Sequence, residues 1–490
     1  MNVTFDNSYG RLPDKFFARL EPTPVPAPRL IRVNHELARH LRIDPLWLES
    51  AEGLQILAGN RLPTGAEPLA MAYAGHQFGN WVPQLGDGRA ILLGEVVDRD
   101  GVRRDIQLKG AGRTPFSRTG DGRAVLGPVL REYLVSEAMN ALGVPSTRAL
   151  AAVTTGMQVM RQGLLPGAVF ARVARSHVRV GTFEYFGNRG DVDGVRTLAD
   201  YVIERHYPQA ASVAGPYTAL LDEVLERTAQ LIAQWQLYGF IHGVMNTDNT
   251  SIAGETIDYG PCAFMDTYDP QTVYSSIDTA GRYAYGNQPR IAQWNLARFA
   301  QSLLPLLGAD EAGAIAMAQS AINTFPARFQ RCLLNGMRRK LGFLQAADDD
   351  AELIEDLLER MTRHRADFTL TFRALCEAAL DPAADERVRS HFDEPGTFDE
   401  WALRWRQRLD RERGDAQTRR NSMRTANPAF IPRNHQLERV IAAAQTQGDF
   451  APFEELLGVL AAPFDDQPGF SRYSQPPLPG EEVRATFCGT

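Results

Sequence analysis

The chain has 490 residues, 44% of them hydrophobic and 23% charged, with a formal net charge of −7. That length is too great for one ordinary core and points to two or three lobes, while the acidic balance argues against a general nucleic-acid binder. No apolar run approaches the roughly 18–20 residues of a membrane span, and the opening MNVTFDNSYGRLPDKFF has neither a secretion-signal nor a transit-peptide pattern.

Prolines punctuate residues 1–70, as in EPTPVPAPRL, which reads as an extended arm across a domain surface with one helix near 34–42. Regular patterning begins at 81–109. There ILLGEVV and DIQLK are strand-like and joined by the polar turn Asp98-Arg99-Asp100-Gly101. Ahead of them, Gly86-Asp87-Gly88-Arg89 is a tight glycine turn, and GAGRTPFSRTGDGRAVLG after them is a second Gly-rich loop. The helix PVLREYLVSEAMNALG follows, stopped by Gly143 with Pro145 just beyond. ALAAVTTGMQVMR and GAVFARVA then predict a hairpin around 163–167.

From about 180 the chain turns helical. An amphipathic helix over 217–238 leads into the loop LYGFIHGVMNTDNTSIAGETIDYG, and further helices are expected at 291–307, 310–323, 326–342, 350–378, 398–412 and 434–446. The basic run Arg338-Arg339-Lys340 reads as a solvated helix face or a carboxylate partner, and the tail from 465 as extended. Cys262, Cys332, Cys376 and Cys488 are too widely spaced for a metal knuckle or a disulfide scaffold. Free thiols in a reducing cytoplasm are the expectation.

Glycines between strands let backbone N–H groups approach phosphates, because no Cβ intervenes. Lys109 ends a strand about 20 residues after Gly88, and Glu132 lies in the next helix. A strand Lys held by a helix Glu is how protein kinases fix ATP phosphates. Downstream, His242, Asn249 and Asp258-Tyr259-Gly260 parallel H-R-D-x-x-x-x-N and D-F-G, and Asn and Asp are hard oxygen ligands for a divalent cation. Val244, however, stands where a kinase carries its catalytic Asp, and Asp248 lies beside Asn249 instead. Either the chain binds nucleotide without catalysis, or it performs a different transfer with the base displaced to Asp248. Arginines are also in surplus near the glycine loops: Arg89, Arg113, Arg118, Arg123, Arg172 and Arg179. Arg172 sits within the apolar AVFARVA, where an unpaired charge would be costly.

Together these residues resemble the selenoprotein O family, kinase-fold proteins that act as protein adenylyltransferases. The resemblance covers nearly the whole chain and rests on YAGHQFGNWVPQLGDGRA (73–90), QLKGAGRTPFSRTGDGRAVL (107–126), HGVMNTDN (242–249), IDYGPCAFMD (257–266) and NPAFIPRNH (427–435). It implies an α+β, bilobal kinase-like fold: an N-terminal extension over 1–70, an N-lobe over 71–178, an enlarged helical C-lobe over 179–464 and a tail over 465–490. It also implies AMP transfer from ATP, bound flipped relative to a kinase, to Ser, Thr or Tyr hydroxyls of proteins; a monomer acting with neither nucleic acid nor membrane is expected.

By position, the resemblance gives nucleotide contacts to Gly86, Gly88, Arg89, Lys109, Asp121, Gly122, Arg172, Arg179 and Asp258. Glu132 becomes the partner of Lys109, Asp248 the proton acceptor, and Asn249 with Asp258 the holders of magnesium or manganese. Some members carry selenocysteine third from the end, where Cys488 stands here. In some bacterial members the terminal Cys pairs with one in the activation-loop region, but YSSID (274–278) has serines there, leaving Cys262 as another bridge candidate. Phosphotransfer with Asp248 as base and a silent nucleotide-binding regulator stay open as alternatives.

Overall fold

The computed structural model describes residues 3–487. It is a mixed helix-and-sheet structure in which, among the described residues, eight strands form one antiparallel sheet. Across the sheet run Phe17–Arg19, Leu69–Met71, Ala90–Val97, Arg103–Lys109, Leu164–Ala174, Arg148–Met160 and Arg29–Val33, with Ala124–Val125 also on Leu164–Ala174. The two expected hairpins occupy the centre, because their Val, Ile, Leu and Ala residues can be buried on both faces.

The Pro-rich arm does more than lie on a surface. Phe17–Arg19 pairs with Leu69–Met71, and Arg29–Val33 pairs with Arg148–Met160 at the far edge, so the arm closes both sides of the sheet. His35–His40, capped by the Asn34 side chain, is the helix expected near 34–42. With two further short helices, Pro45–Glu49 and Ala51–Leu57, it covers one sheet face around Leu37, Leu41, Leu48 and Leu57.

The other face carries the helix Leu126–Ala141, which is buried nearly all round. A helix apolar on every side needs cover on every side. That cover comes from Asn434–Gln447 and Ala451–Leu460, which return from the far end of the chain to pack on it. Arg131 fixes the contact by donating to Asn434 Oδ1 at 2.9 Å and to the carbonyl of Cys262 at 3.3 Å.

Val192–His206, Gln288–Leu307, Glu311–Asn323 and Phe325–Leu341 pack on Pro216–Tyr238, which is capped by Gly239 in the left-handed conformation (φ 70°), while Asp350–Arg363, Phe368–Ala378 and Thr397–Asp410 gather around a second core. The helix expected over 350–378 is two, Asp350–Arg363 and Phe368–Ala378. Between them Arg365 takes φ 52°, and Asp367 caps the second helix by accepting from Leu370 N–H at 2.8 Å. The left-handed position is held by an arginine where glycine is usual, so no glycine or proline announces the break. Helices at Val180–Gly187, Val192–His206, Ala416–Arg424 and Ala451–Leu460 also escaped the periodicity argument.

The tail is not wholly extended, since Pro468–Tyr473 forms a 3-10 turn. Beyond it Thr486 is buried: its N–H donates to the Tyr274 carbonyl at 2.7 Å, and its carbonyl accepts from Ser276 N–H at 3.0 Å. The basic run also divides. Arg338 pairs with Asp350 at 2.6 Å, but Lys340 points inward against the rings of Phe372, Phe368 and Tyr238. No helix among the described residues is long and apolar enough to cross a membrane.

Candidate active site

A cleft of about 680 Å³ opens between the sheet and the loop that follows Pro216–Tyr238. That is ample for a nucleotide. Every proposed site residue lines it except Glu132, which stands directly behind.

One wall is the first glycine turn. Gly86 has φ 118°, and a Cβ there would lie 2.4 Å from the Phe116 ring and 2.8 Å from the Met71 carbonyl, so only glycine fits. A Cβ on Gly88 would meet the Phe116 carbonyl at 2.9 Å. The second glycine loop folds beneath it, with Gly122 at φ 69° pressed onto the Gly112 backbone. Asp121 reaches the rim, where Arg161 holds its carboxylate at 2.8 and 3.0 Å and the N–H of Arg123 donates to it. Of the surplus arginines, Arg89 and Arg118 line the cleft, whereas Arg123, which also lines it, spends its guanidinium on the Thr23 and Pro24 carbonyls of the arm.

The opposite wall is built by a loop held between two short paired strands, Phe240–Ile241 and Ala263–Phe264. His242 is buried inside it, stacked on Trp235 and hydrogen-bonded through Nε2 to the Ile257 carbonyl at 2.9 Å. That contact draws the two ends of the loop together. Thr247–Asn249 form a single 3-10 turn that brings Asp248 and Asn249 to the cleft.

Asp258, at φ 64°, is the electrostatic hub. Lys109 Nζ lies 3.0 Å and Arg172 Nη1 2.6 Å from its Oδ1, and Arg179 Nη1 lies 3.1 Å from its Oδ2. Burial works against its charge, but Arg172, Lys109 and Arg179 outweigh burial and hold its pKa well below the usual carboxylate range. Glu132 completes the cluster, 2.5 Å from Lys109 and 3.2 Å from Arg172. The arginine inside the apolar strand is thus paired, and Gln107 accepts its remaining arm at 2.6 Å.

Arg179 also donates to the Asp248 carbonyl at 2.7 Å and lies over the Tyr73 ring at 4.5 Å. Asp248 itself is buried; burial raises its pKa to about 6 although Gln77 Nε2, donating to Oδ2 at 3.1 Å, pulls the other way. Its other oxygen, Oδ1, has no hydrogen-bond partner. Asn249 donates through Nδ2 to the Val244 carbonyl at 3.0 Å, which leaves its side-chain oxygen as an acceptor. The oxygen donors of Asn249 and Asp258 suit a hard divalent cation. His40, Asp98 and Asp100 also bring ligand atoms within 4.8 Å of one another, but Asp98 is already taken by Arg104 and by the N–H groups of Asp100 and Val102.

Three cleft residues escaped the sequence reading. Asp87 lies between the two chosen glycines, where its role as acceptor from Met71 N–H and Gln107 is invisible. Arg161 sits in a hairpin turn, and Gln77 in a stretch without a recognised chemical motif. Cys262 and Cys376 are buried free thiols and Cys332 is half-buried; burial pushes Cys262 up to about 12. Cys488 lies outside the described residues.

Comparison with known proteins gives concordant matches. The sequence profile of a family described as "Protein adenylyltransferase SelO" matches residues 1–461. A relative from Rhodopseudomonas palustris strain BisB5, named protein nucleotidyltransferase YdiU, is 63% identical over 490 residues covering all of both chains. Relatives of the same name from Methylorubrum extorquens and Bradyrhizobium diazoefficiens are 64% identical over 492 residues and 61% over 490, covering 99% and 100% of both chains respectively.

Proposed function

The chain belongs to the protein adenylyltransferase SelO family and is a protein nucleotidyltransferase, and from that premise we propose that it transfers AMP from ATP to Ser, Thr or Tyr hydroxyls of other proteins. The frame on this reading is kinase-like and bilobal, with lobes over 71–178 and 179–464, an arm over 1–70 and a tail over 465–490. It works as a monomer in a reducing cytoplasm, which suits its free thiols.

The observation that carries the reading is buried Asp248, which lines the same cleft as Lys109, Arg172 and Asp258 and whose Oδ1 lacks a hydrogen-bond donor, while Val244 occupies the kinase base position. A buried acceptor without a donor is a proton acceptor waiting for one. The acceptor hydroxyl gives its proton to Asp248 as its oxygen bonds to the α-phosphorus. The bond between the α-phosphorus and the bridging oxygen breaks, and pyrophosphate leaves. A divalent cation, magnesium or manganese, held by Asn249 and Asp258, supplies charge neutralisation at the phosphates.

ATP lies flipped relative to a kinase, its α-phosphate toward Asp248. Gly86 and Gly122 offer backbone N–H groups, Gly88, whose N–H is turned onto the Gly86 carbonyl, lets the nucleotide approach the backbone closely, and Asp121 lies at the rim of the same nucleotide site. Arg89, Arg172 and Arg179 stabilise the departing pyrophosphate, the main lever in this class of transfer. Glu132 positions Lys109. General-base action by Asp248 contributes roughly 10²–10⁴-fold, so Asp248→Ala lowers turnover while ATP binding persists.

ATP labelled at either the α- or the γ-phosphate tests the reading. Protein labelling from the α-label alone is expected. Labelling from γ would instead make the chain a kinase, and labelling from neither would leave a silent nucleotide-binding module.

A further inference from the structure

The segment HQFGNW carries none of the residues assigned to nucleotide or metal, although Gln77 and Phe78 line the cleft, and it is built against the loop that carries Asp248. Gly75–Gln77 and Asn80–Val82 form an isolated two-stranded hairpin. Phe78 and Gly79 both take positive φ at its turn, 51° and 83°. Two successive positive φ values make the tight hairpin turn whose twist matches its strands, but a bulky residue at the first position is unusual and needs holding in place.

The holding contacts come from the Asp248 loop. Phe78 N–H donates to Asn246 Oδ1 at 3.0 Å, and His76 N–H donates to Thr247 Oγ1 at 2.7 Å. Gln77 Nε2 donates to Asp248 Oδ2 at 3.1 Å. Three consecutive hairpin residues thus engage three consecutive loop residues.

Each contact is backed from behind. Tyr283 donates to the same Asn246 oxygen at 2.7 Å and packs on the Phe78 ring. Glu184 binds the His76 ring at 2.6 Å and accepts from the Thr247 hydroxyl. Trp81 and Trp294 flank the His76 ring. Gly75 makes room, since a Cβ there would sit 2.6 Å from Asp248 Oδ1 and 2.9 Å from its Cβ.

We propose that this hairpin is a clamp on the catalytic loop and that Gln77 is a positioning residue for the transfer reaction: by holding Oδ2 while Gly75 lies against Oδ1, the hairpin fixes the orientation in which the Asp248 carboxylate meets the cleft. The inference rests on Asp248 being the proton acceptor. A carboxylate on a freely rotating χ2 presents its oxygens over a broad arc, whereas one tied through Oδ2 to an amide and backed at Oδ1 by Gly75 is held in a narrow one. Gln77 touches neither nucleotide nor metal on this assignment, so its loss acts on turnover and leaves ATP affinity alone.

The test is a double-mutant cycle on the full chain, reading AMP incorporation from α-labelled ATP into casein as a hydroxyl-rich acceptor. Gln77→Met keeps length and loses the donor; it is expected to lower kcat about tenfold with the KM for ATP within about twofold and the melting temperature unmoved. In an Asp248→Asn background the same substitution is expected to change kcat by less than about twofold, because the group it positions is gone. An unchanged kcat in Gln77→Met, or an equal loss in both backgrounds, would overturn the clamp. Should Asp248→Asn alone keep the parental rate, the base assignment fails and the clamp fails with it.

Discussion

The molecule buries cations in two ways, and the contrast separates its working part from its scaffold. Around Asp258 three cations converge on one carboxylate: Lys109, Arg172 and Arg179 lie within 3.1 Å of its oxygens, with Glu132 behind. In the helical part, Lys340 is buried against aromatic faces, 4.4 Å from the Phe372 ring centre and 5.4 Å from that of Phe368. Burial disfavours charge at both sites. The acids overcome it at Arg172 and Arg179, whose pKa values rise, but the rings do not at Lys340, which burial lowers to about 7. A ring quadrupole compensates desolvation far less than a carboxylate does. The first cluster keeps its charge at the cleft; the second keeps its position for packing.

The contrast breaks hardest at Asp258. Asp258→Ala is expected to abolish AMP incorporation, by about 10²–10³-fold or more, and Lys109→Ala to reduce it severely. Near-parental labelling by Asp258→Ala would mean that the cluster is only structural.

The stability of Arg172→Met against Lys340→Met sharpens the comparison. Arg172→Met leaves Asp258 and Glu132 short of a buried partner and is expected to cost about 3 kcal/mol. Lys340→Met fills the same apolar space without a charge and is expected to be neutral or stabilising. Chemical denaturation of both variants reads the difference, and equal destabilisation would erase the distinction.

The smallest effect is the pH slope. The folded-state pKa of Lys340, about 7, lies below the unfolded value near 10.4. Between those limits the unfolded chain holds one more proton than the folded chain, so stability gains with rising pH across that window. The melting-temperature difference between Lys340→Met and the parent should therefore shift in the parent's favour from pH 7 to pH 10. A difference independent of pH would show that Lys340 stays charged when folded.

What the sequence discloses follows the range of the forces involved. The hairpin strands, the Glu132 helix and its Gly143 stop were legible because periodicity and local backbone chemistry set them. Arg172 was legible as an anomaly, since a cation in an apolar strand demands a partner, though nothing local says which. Two features stayed hidden for opposite reasons. The break at 363–368 uses Arg365 for a conformation normally announced by glycine, and Lys340 hides in a basic run that reads as solvated. Gln77 had no signal at all, because its partner lies 171 residues away.

The arm strand Arg29–Val33 pairs with residues up to 125 positions later, at Arg29 and Thr154. Long-range pairing of this kind is slow to form, because loop closure must precede any reward. At a synthesis rate of roughly 5–20 residues per second, the arm waits on the order of 10 s for its partner strand to exist. The prolines of EPTPVPAPRL suit that interval, since a Pro-rich stretch offers few backbone donors to a passing strand edge. The order of translation thus leaves one edge of the sheet to be closed by the part of the chain that was made first.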